Sequence, residues 1–196
     1  MEDYNFSRSP EIMTRQDTAL LVIDMQGKLT SLVQNDQTIL WNIVRLLEGA
    51  KALGLPIVGT EQYPQGLGGT VDPIKPHLEM IEEKSSFSCV TCERLLTTLQ
   101  EKEINKILLC GIEAHVCVLQ SALDLMSNGF RLYIPIDAVG SRNLLDFKTA
   151  LRRMENCGAT LTSTEAALFE WCEFSNIPEF KTVSNLVKQT DPSKQT

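Results

Sequence analysis

The stretch TALLVID at residues 18–24 decides which fold the chain is expected to adopt. It is an unbroken run of apolar and β-branched residues that is too short for a buried helix and stops at an aspartate. Such a run is typical of a central strand that is buried on both faces of a parallel sheet. Asp24 is therefore expected at the carboxyl end of this strand, where ligands bind in open α/β sheets.

A repeated order of helix, glycine and strand follows this run. Residues 36–53 carry apolar side chains at helical spacing and end at Gly54, before a second strand predicted at residues 55–60. The same order recurs around Gly129 and Gly158. Glycine is the usual left-handed stop of a helix, and strands that alternate with helices pair in parallel. The pattern predicts a Rossmann-like α/β protein with three layers, α/β/α.

Length and charge limit the possible functions. The 196 residues are 43% hydrophobic and 22% charged, which predicts a single folded domain over residues 1–196 with a packing or subunit-contact arm and tail at 176–196. A net charge of −7 disfavours nucleic-acid partners. The chain has no apolar run of membrane-spanning or secretory length, so we expect a cytoplasmic protein whose six cysteines stay reduced.

Residues 110–117, CGIEAHVC, contain the main candidate nucleophile, Cys117. KILLCG (106–111) is a predicted strand, and Cys117 lies in the first turn of a helix expected to begin near Ala114. The N-terminal end of a helix dipole favours a thiolate over a thiol. The alternative is a small apolar side chain in the core. Helical spacing predicts that the inward stripe excludes Cys117 and consists of Val116, Leu119, Leu123 and Met126.

A thiol nucleophile needs a proton acceptor and a site for the oxyanion. Asp24 is a candidate base if the two strand ends are neighbours, although an aspartate here is as typical of a turn or a helix cap. The oxyanion would be bound by backbone N–H groups of the turn through Ile112 and Glu113, together with that of Cys117.

A candidate cation and several candidate pocket residues lie elsewhere in the chain. Lys84 ends an acidic cluster in IEEKSSFS (81–88), a pattern that is more typical of a solvated surface residue. The Gly- and Pro-rich segment at 61–76 is either a functional loop over the strand ends or a tolerated surface excursion. The candidates for substrate binding are Gln62, Tyr63, Phe87 and His115.

No metal or cofactor site is expected. Cys89 and Cys92 have CxxC spacing, but the chain contains no second such pair, and His77 and His115 stand alone. The GLGG at residues 66–69 lacks the spacing of a nucleotide-phosphate loop.

Three motifs in this order, LLVIDMQ with Asp24, EEKSSFS with Lys84 and LLCGIEAHVC with Cys117, resemble the isochorismatase-like cysteine hydrolases. The likeness extends from about residue 17 to residue 172. The loop EQYPQGLGGT is similar to that of the isochorismatase domain-containing subgroup.

The resemblance implies a parallel sheet of about six strands and a triad with Asp24 as base, Lys84 as its cationic partner and Cys117 as nucleophile. It also implies a cis peptide bond between Ile112 and Glu113 and assembly into homo-oligomers. Two departures from the motifs of related enzymes limit the reactions that we expect. Residues 60–63 replace the Asp-x-His metal motif of nicotinamidases, and Cys117 stands where true isochorismatases have glycine.

The sequence therefore predicts a metal-independent cysteine hydrolase that acts on a small non-peptide amide, carbamoyl or related acyl compound through a thioester. The alternative hypothesis is a noncatalytic or redox-responsive scaffold that keeps the fold.

Overall fold

The computed structural model describes residues 7–191 and 193. One parallel sheet forms its centre, and six of its strands lie in the order β3-β2-β1-β4-β5-β7 while the short β6 pairs with β4. The strands are β1 (Thr18–Ile23), β2 (Ile57–Gln62), β3 (Met80–Lys84), β4 (Lys106–Ile112), β5 (Arg131–Pro135), β6 (Val139–Gly140) and β7 (Thr160–Thr162).

Helices flank this sheet, with α2 packed against α7 and α8, and α5 packed against α6. They are α1 (Gly27–Thr30), α2 (Asp36–Leu53), α3 (Pro64–Leu67), α4 (Glu93–Glu101), α5 (Leu119–Ser127), α6 (Leu144–Asn156), α7 (Thr164–Cys172) and α8 (Phe180–Val187). Shorter helical turns cover Lys75–His77, Cys89–Thr91 and Ala114–Val118. The predicted α/β class and the six-stranded parallel sheet are confirmed.

The central position of β1 explains its apolar sequence. All six of its residues are buried, because β2 and β4 pair with it on either side and helices cover both faces. Its last residue, Ile23, lies in register with Thr60 of β2 and Gly111 of β4. The side chains that follow these positions therefore meet at one edge of the sheet.

The structure confirms the predicted end of α2 but shifts the predicted second strand toward the C-terminus. Gly54 ends α2 in the left-handed conformation with φ of 76°, as predicted. The second strand runs over Ile57–Gln62 rather than 55–60. Pro56 has no N–H to donate, and pairing with β3 extends the strand as far as Gln62. This extension adds two buried polar residues, Glu61 and Gln62, to the sheet.

The inward stripe predicted for the helix after β4 is only partly correct, because Leu119 is buried as predicted but Cys117 is not excluded from the buried side. The N–H of Val118 donates to the carbonyl of Glu113, an i to i−5 bond of 3.2 Å, so the first turn is π-like and wider than an α-turn. This widening shifts the helix phase. Cys117 is buried, whereas the predicted stripe residues Val116, Leu123 and Met126 are only partly buried.

The C-terminal arm packs on its own chain. Val183 and Leu186 of α8 are buried, and the guanidinium of Arg45 donates to the carbonyl of Leu186 at 3.0 Å. Farther along, the Thr38 hydroxyl donates to Asp191 at 3.1 Å. Residues 192 and 194–196 of the predicted tail lie outside the described part of the chain.

Gly111 is required where β4 approaches β1. Its φ is 116°, and a Cβ at this position would overlap the backbone of Ile23, including the carbonyl oxygen. We expect Gly111→Ala to lower the free energy of unfolding by at least about 3 kcal/mol. Gly158→Ala is the matched control, because Gly158 has a φ of 109° and nothing within 4 Å. Urea denaturation should show a loss of only about 1–2 kcal/mol for the control. Equal losses in both variants would contradict the role given to the Ile23 contact.

Candidate active site

The carboxyl ends of β1 and β3 bring together an aspartate and a lysine. Lys84 Nζ lies 2.7 Å from Asp24 Oδ2, and both side chains are completely buried. The hydroxyl of Thr60, on the strand between them, donates to Asp24 Oδ1 at 2.7 Å. Asp24 itself has a φ of 50°, a left-handed conformation that is uncommon outside glycine and recurs at functional sites. The interpretation of Lys84 as a solvated surface residue is therefore wrong.

Further acceptors surround the Lys84 ammonium. Gln62 Oε1 lies 2.7 Å from Nζ, and the backbone carbonyls of Ser86 and Phe87 lie at 3.3 and 3.4 Å. With Asp24, these groups give the buried ammonium the hydrogen bonds and the opposite charge that burial of a charge requires.

Cys117 faces this pair from the other side. Its sulfur lies 3.9 Å from Gln62 Oε1, and the residue is 6% exposed. Burial raises the pKa of the Cys117 thiol to about 12; the charge of Asp24 and a hydrogen bond with it raise this pKa further, whereas Lys84 lowers it. The structure thus brings Asp24, Lys84 and Cys117 together. Desolvation therefore opposes the effect expected of the helix terminus, which favours a thiolate.

The turn between β4 and Cys117 has two notable features. The peptide bond between Ile112 and Glu113 is cis, at the position that the resemblance implies. The Glu113 carboxylate accepts hydrogen bonds from the backbone N–H of Arg142 at 3.1 Å and from its Nε at 3.0 Å. The segment after β6 therefore holds this turn in place.

His115 also contacts that segment. Its Nδ1 lies 3.0 Å from Ser141 Oγ, and its Nε2 lies 4.0 Å from Asp146 Oδ2. Ser141 in turn lines a cavity of about 180 Å³ between α2 and α6, whose lining residues do not include Asp24, Lys84 or Cys117. The contacts of His115 thus support the turn rather than reach the Lys84 ammonium.

Tyr63 and Phe87 stand on the solvent side of the lysine. Their exposed fractions are 58% and 51%, high values for aromatic side chains. The backbone N–H of Tyr63 donates to the carbonyl of Lys84 at 2.9 Å, and Phe87 contributes a carbonyl to the ammonium. Both aromatic residues are thereby placed at the rim of the site.

The loop after β2 is bound tightly to the strand ends. Gln26 donates through Nε2 to the carbonyls of Gln62 and Gly68 and accepts from the Gln62 N–H. The Glu61 carboxylate accepts from the N–H and the hydroxyl of Thr70 at 2.6 and 2.7 Å. The sequence analysis missed Gln26 and Thr60. Polar residues at the end of an apolar strand, which already singled out Asp24, are the signal that could have identified them.

The remaining cysteines differ in exposure. Cys89 is fully buried, and burial raises the pKa of its thiol to about 11, whereas Cys157 is exposed. Within residues 7–191 and 193, no three His, Cys, Asp or Glu side chains are grouped so that they could hold a metal ion. In the same part of the chain, no helix is both long and apolar enough to cross a bilayer.

Comparison with known proteins identifies the family of this chain. The model of the isochorismatase domain matches residues 18–166, most of the chain. The chain belongs to the isochorismatase family. Isochorismatase domain-containing protein 2 of Bos taurus is 36% identical to it, over 88% of this chain and 84% of the bovine protein.

Two other relatives show how far the similarity extends. Isochorismatase domain-containing protein 1 of Danio rerio is 35% identical over 86% of this chain, but the match covers only 60% of the fish protein. A structure described as the MAR1 ribonuclease of Caenorhabditis elegans is 36% identical, covers 92% of this chain and 94% of its own, and has a TM-score of 0.85. This isochorismatase-family chain is therefore similar in sequence to these relatives, and similar in fold to the C. elegans protein.

Proposed function

We propose that this protein is a metal-independent cysteine hydrolase that cleaves a small non-peptide amide, carbamoyl or related acyl compound. The observation that carries the proposal is the completely buried Asp24–Lys84 pair, with 2.7 Å between its charged atoms, beside the thiol of Cys117. Buried charges beside a nucleophilic side chain are typical of catalytic sites. A cysteine at this position also distinguishes the chain from isochorismatases that have glycine there.

The burial of Cys117 bears on the first step. Because burial raises the pKa of the thiol and favours its neutral form, we propose that its proton leaves as the sulfur attacks the carbonyl carbon. The Asp24 carboxylate accepts that proton, and the carbonyl oxygen becomes an oxyanion. When the C–N bond breaks, Asp24 returns the proton to the leaving nitrogen, and a thioester remains on Cys117.

A water molecule then hydrolyses the thioester. Its oxygen attacks the thioester carbon while Asp24 accepts one of its protons, and the C–S bond breaks as the sulfur regains a proton from Asp24. Lys84 keeps its proton throughout and holds the carboxylate in reach of the sulfur. Backbone N–H groups of the turn through Ile112, Glu113 and Cys117 would bind the oxyanion.

The exposed aromatic residues suggest how the pocket is completed. Tyr63 and Phe87 flank the lysine yet leave more than half of their surface in solvent. We propose that a second copy of the chain covers them in a homo-oligomer and narrows the entrance to the size of a small molecule. Light scattering should show an oligomer that Phe87→Asp dissociates; a wild-type monomer would contradict this arrangement.

A substrate screen tests the proposal directly. Purified protein is incubated with small amides, ureides and esters, and Cys117→Ala is the matched control. We expect turnover of at least one compound by the wild type, an acyl adduct on Cys117 after rapid acid quench, and neither in the variant. Turnover that persists in Cys117→Ala would remove the thiol from the mechanism.

The screen also separates two other functions. The name of the C. elegans relative makes RNA hydrolysis a second candidate, although the net charge of −7 opposes binding to a phosphate backbone. Cleavage of a labelled RNA by both the wild type and Cys117→Ala would favour this candidate. A noncatalytic scaffold would instead leave every compound intact and Cys117 without an adduct.

A further inference from the structure

We infer that Gln62 is a positioning residue that fixes the Lys84 ammonium and the Cys117 sulfur relative to each other. The inference rests on the proposed function, since it assigns a role within the same site. The sequence led us to expect that the Gln62 side chain binds substrate. We assign it instead to positioning these two groups.

The orientation of the Gln62 amide is set by its neighbours. Its Nε2 donates to the backbone carbonyl of Ser85 at 2.9 Å, an acceptor that only the NH₂ end can satisfy. The Oε1 end must then face the opposite way, toward Lys84 Nζ at 2.7 Å and Cys117 Sγ at 3.9 Å. Both polar ends are thus occupied inside the protein, and the residue is only 8% exposed.

The backbone of Gln62 is fixed as firmly as its side chain. Its N–H donates to Gln26 Oε1 at 2.8 Å, and its carbonyl accepts from Gln26 Nε2 at 3.0 Å. Gln62 also lies opposite Lys84 in the register of β2 and β3. The Gln62 side chain, which is hydrogen-bonded at both polar ends, therefore presents its Oε1 to the Lys84 ammonium.

This oxygen helps to occupy all the donors of Lys84. An ammonium has three N–H groups. Asp24 Oδ2 and Gln62 Oε1 accept two of them, and the carbonyls of Ser86 and Phe87 lie within reach of the third. No N–H of this ammonium is left to bind substrate or to protonate a leaving group. Lys84 therefore holds the Asp24 carboxylate and places a positive charge near the Cys117 sulfur.

The neutrality of Gln62 is part of the role. A carboxylate in its place would share the single ammonium with Asp24 and add a negative charge beside the sulfur. Both effects would disfavour the thiolate form of Cys117. A glutamine accepts the same hydrogen bond without adding that charge.

Three variants test the inference through alkylation of Cys117 by acrylamide, a neutral primary amide, followed by peptide mapping between pH 5 and 9. Gln62→Met keeps the volume and removes the acceptor, Gln62→Glu keeps the acceptor and adds charge, and Gln65→Met is the control at an exposed glutamine of α3. We expect Gln62→Met to lower the rate at pH 7.5 at least tenfold. Gln62→Glu should shift the whole rate–pH profile toward higher pH by about one unit, because the added charge disfavours the thiolate, and Gln65→Met should match the wild type.

Other outcomes would overturn one claim or both. Variants of Gln62 that lose thermal stability but keep the rate and the pH profile of the folded protein would show a merely structural role and overturn the inference alone. A wild-type Cys117 that acrylamide does not modify would overturn the proposed function together with it.

Discussion

Asp24→Asn is expected to reduce hydrolysis about a thousandfold, within the usual range for loss of a general base, while making the Cys117 thiol more acidic. The two effects have one cause. The carboxylate is the proton acceptor for the attacking thiol, and its charge also raises the pKa of that thiol, whereas the Lys84 ammonium lowers it. Asparagine has nearly the same shape, so the variant removes the charge and leaves the ammonium beside the sulfur.

The two effects are measured separately. Turnover of a substrate found in the screen reports the loss of the base, and absorbance of the thiolate at alkaline pH reports its titration. We expect the midpoint of that titration to lie below that of the wild type, in which the charge of Asp24 helps to raise the pKa of the Cys117 thiol. Asp124→Asn, at a half-buried position of α5, provides a control for an aspartate outside the site. A variant that loses activity while its thiol becomes less acidic would contradict the assigned geometry.

Lys84→Met is expected to lower the free energy of unfolding by about 3–5 kcal/mol and to abolish activity. The substitution leaves the Asp24 carboxylate buried without its cation, and both side chains of the pair are completely buried. Removing both charges, in Lys84→Met combined with Asp24→Asn, should restore part of the stability because no unpaired charge remains. Urea denaturation of the two variants measures the difference.

Lys106 supplies a matched control for this prediction. It is also buried and lies 2.8 Å from Asp17 Oδ2, but the Asp17 side chain is 25% exposed. After Lys106→Met, water can therefore solvate the carboxylate that remains, so the loss should be clearly smaller than for Lys84→Met. Equal losses would contradict the claim that burial of Asp24 makes its pairing with Lys84 essential.

The sheet could be predicted from sequence because its signals are local. An apolar run of strand length, as at residues 18–23, is typical of a strand buried on both faces of a parallel sheet, and Gly54 ends its helix where the helical spacing stops. Asp24 was identified for the same reason, since it directly follows the run.

The environment of the site depends on strand order, which the sequence does not encode locally. Lys84 follows two glutamates and has the pattern of a surface residue; only the placement of β2 between β1 and β3 turns it toward Asp24. The π-like turn before Cys117 likewise depends on a bond from Val118 to Glu113 that α-helical spacing does not predict. Because this turn is wider than an α-turn, the helix phase differs from the one predicted, and the thiol of Cys117 is buried.

In the proposed mechanism, Cys117 is a buried thiol that the neighbouring Asp24 carboxylate activates at the moment of attack. The most direct measurement is limited alkylation of the folded wild-type protein by acrylamide at pH 7.5, with each of the six cysteines quantified by peptide mapping. We predict that Cys117 is modified first, ahead of the exposed Cys157, and that this preference disappears in denaturant. Modification of Cys157 while Cys117 stays unmodified would contradict the account.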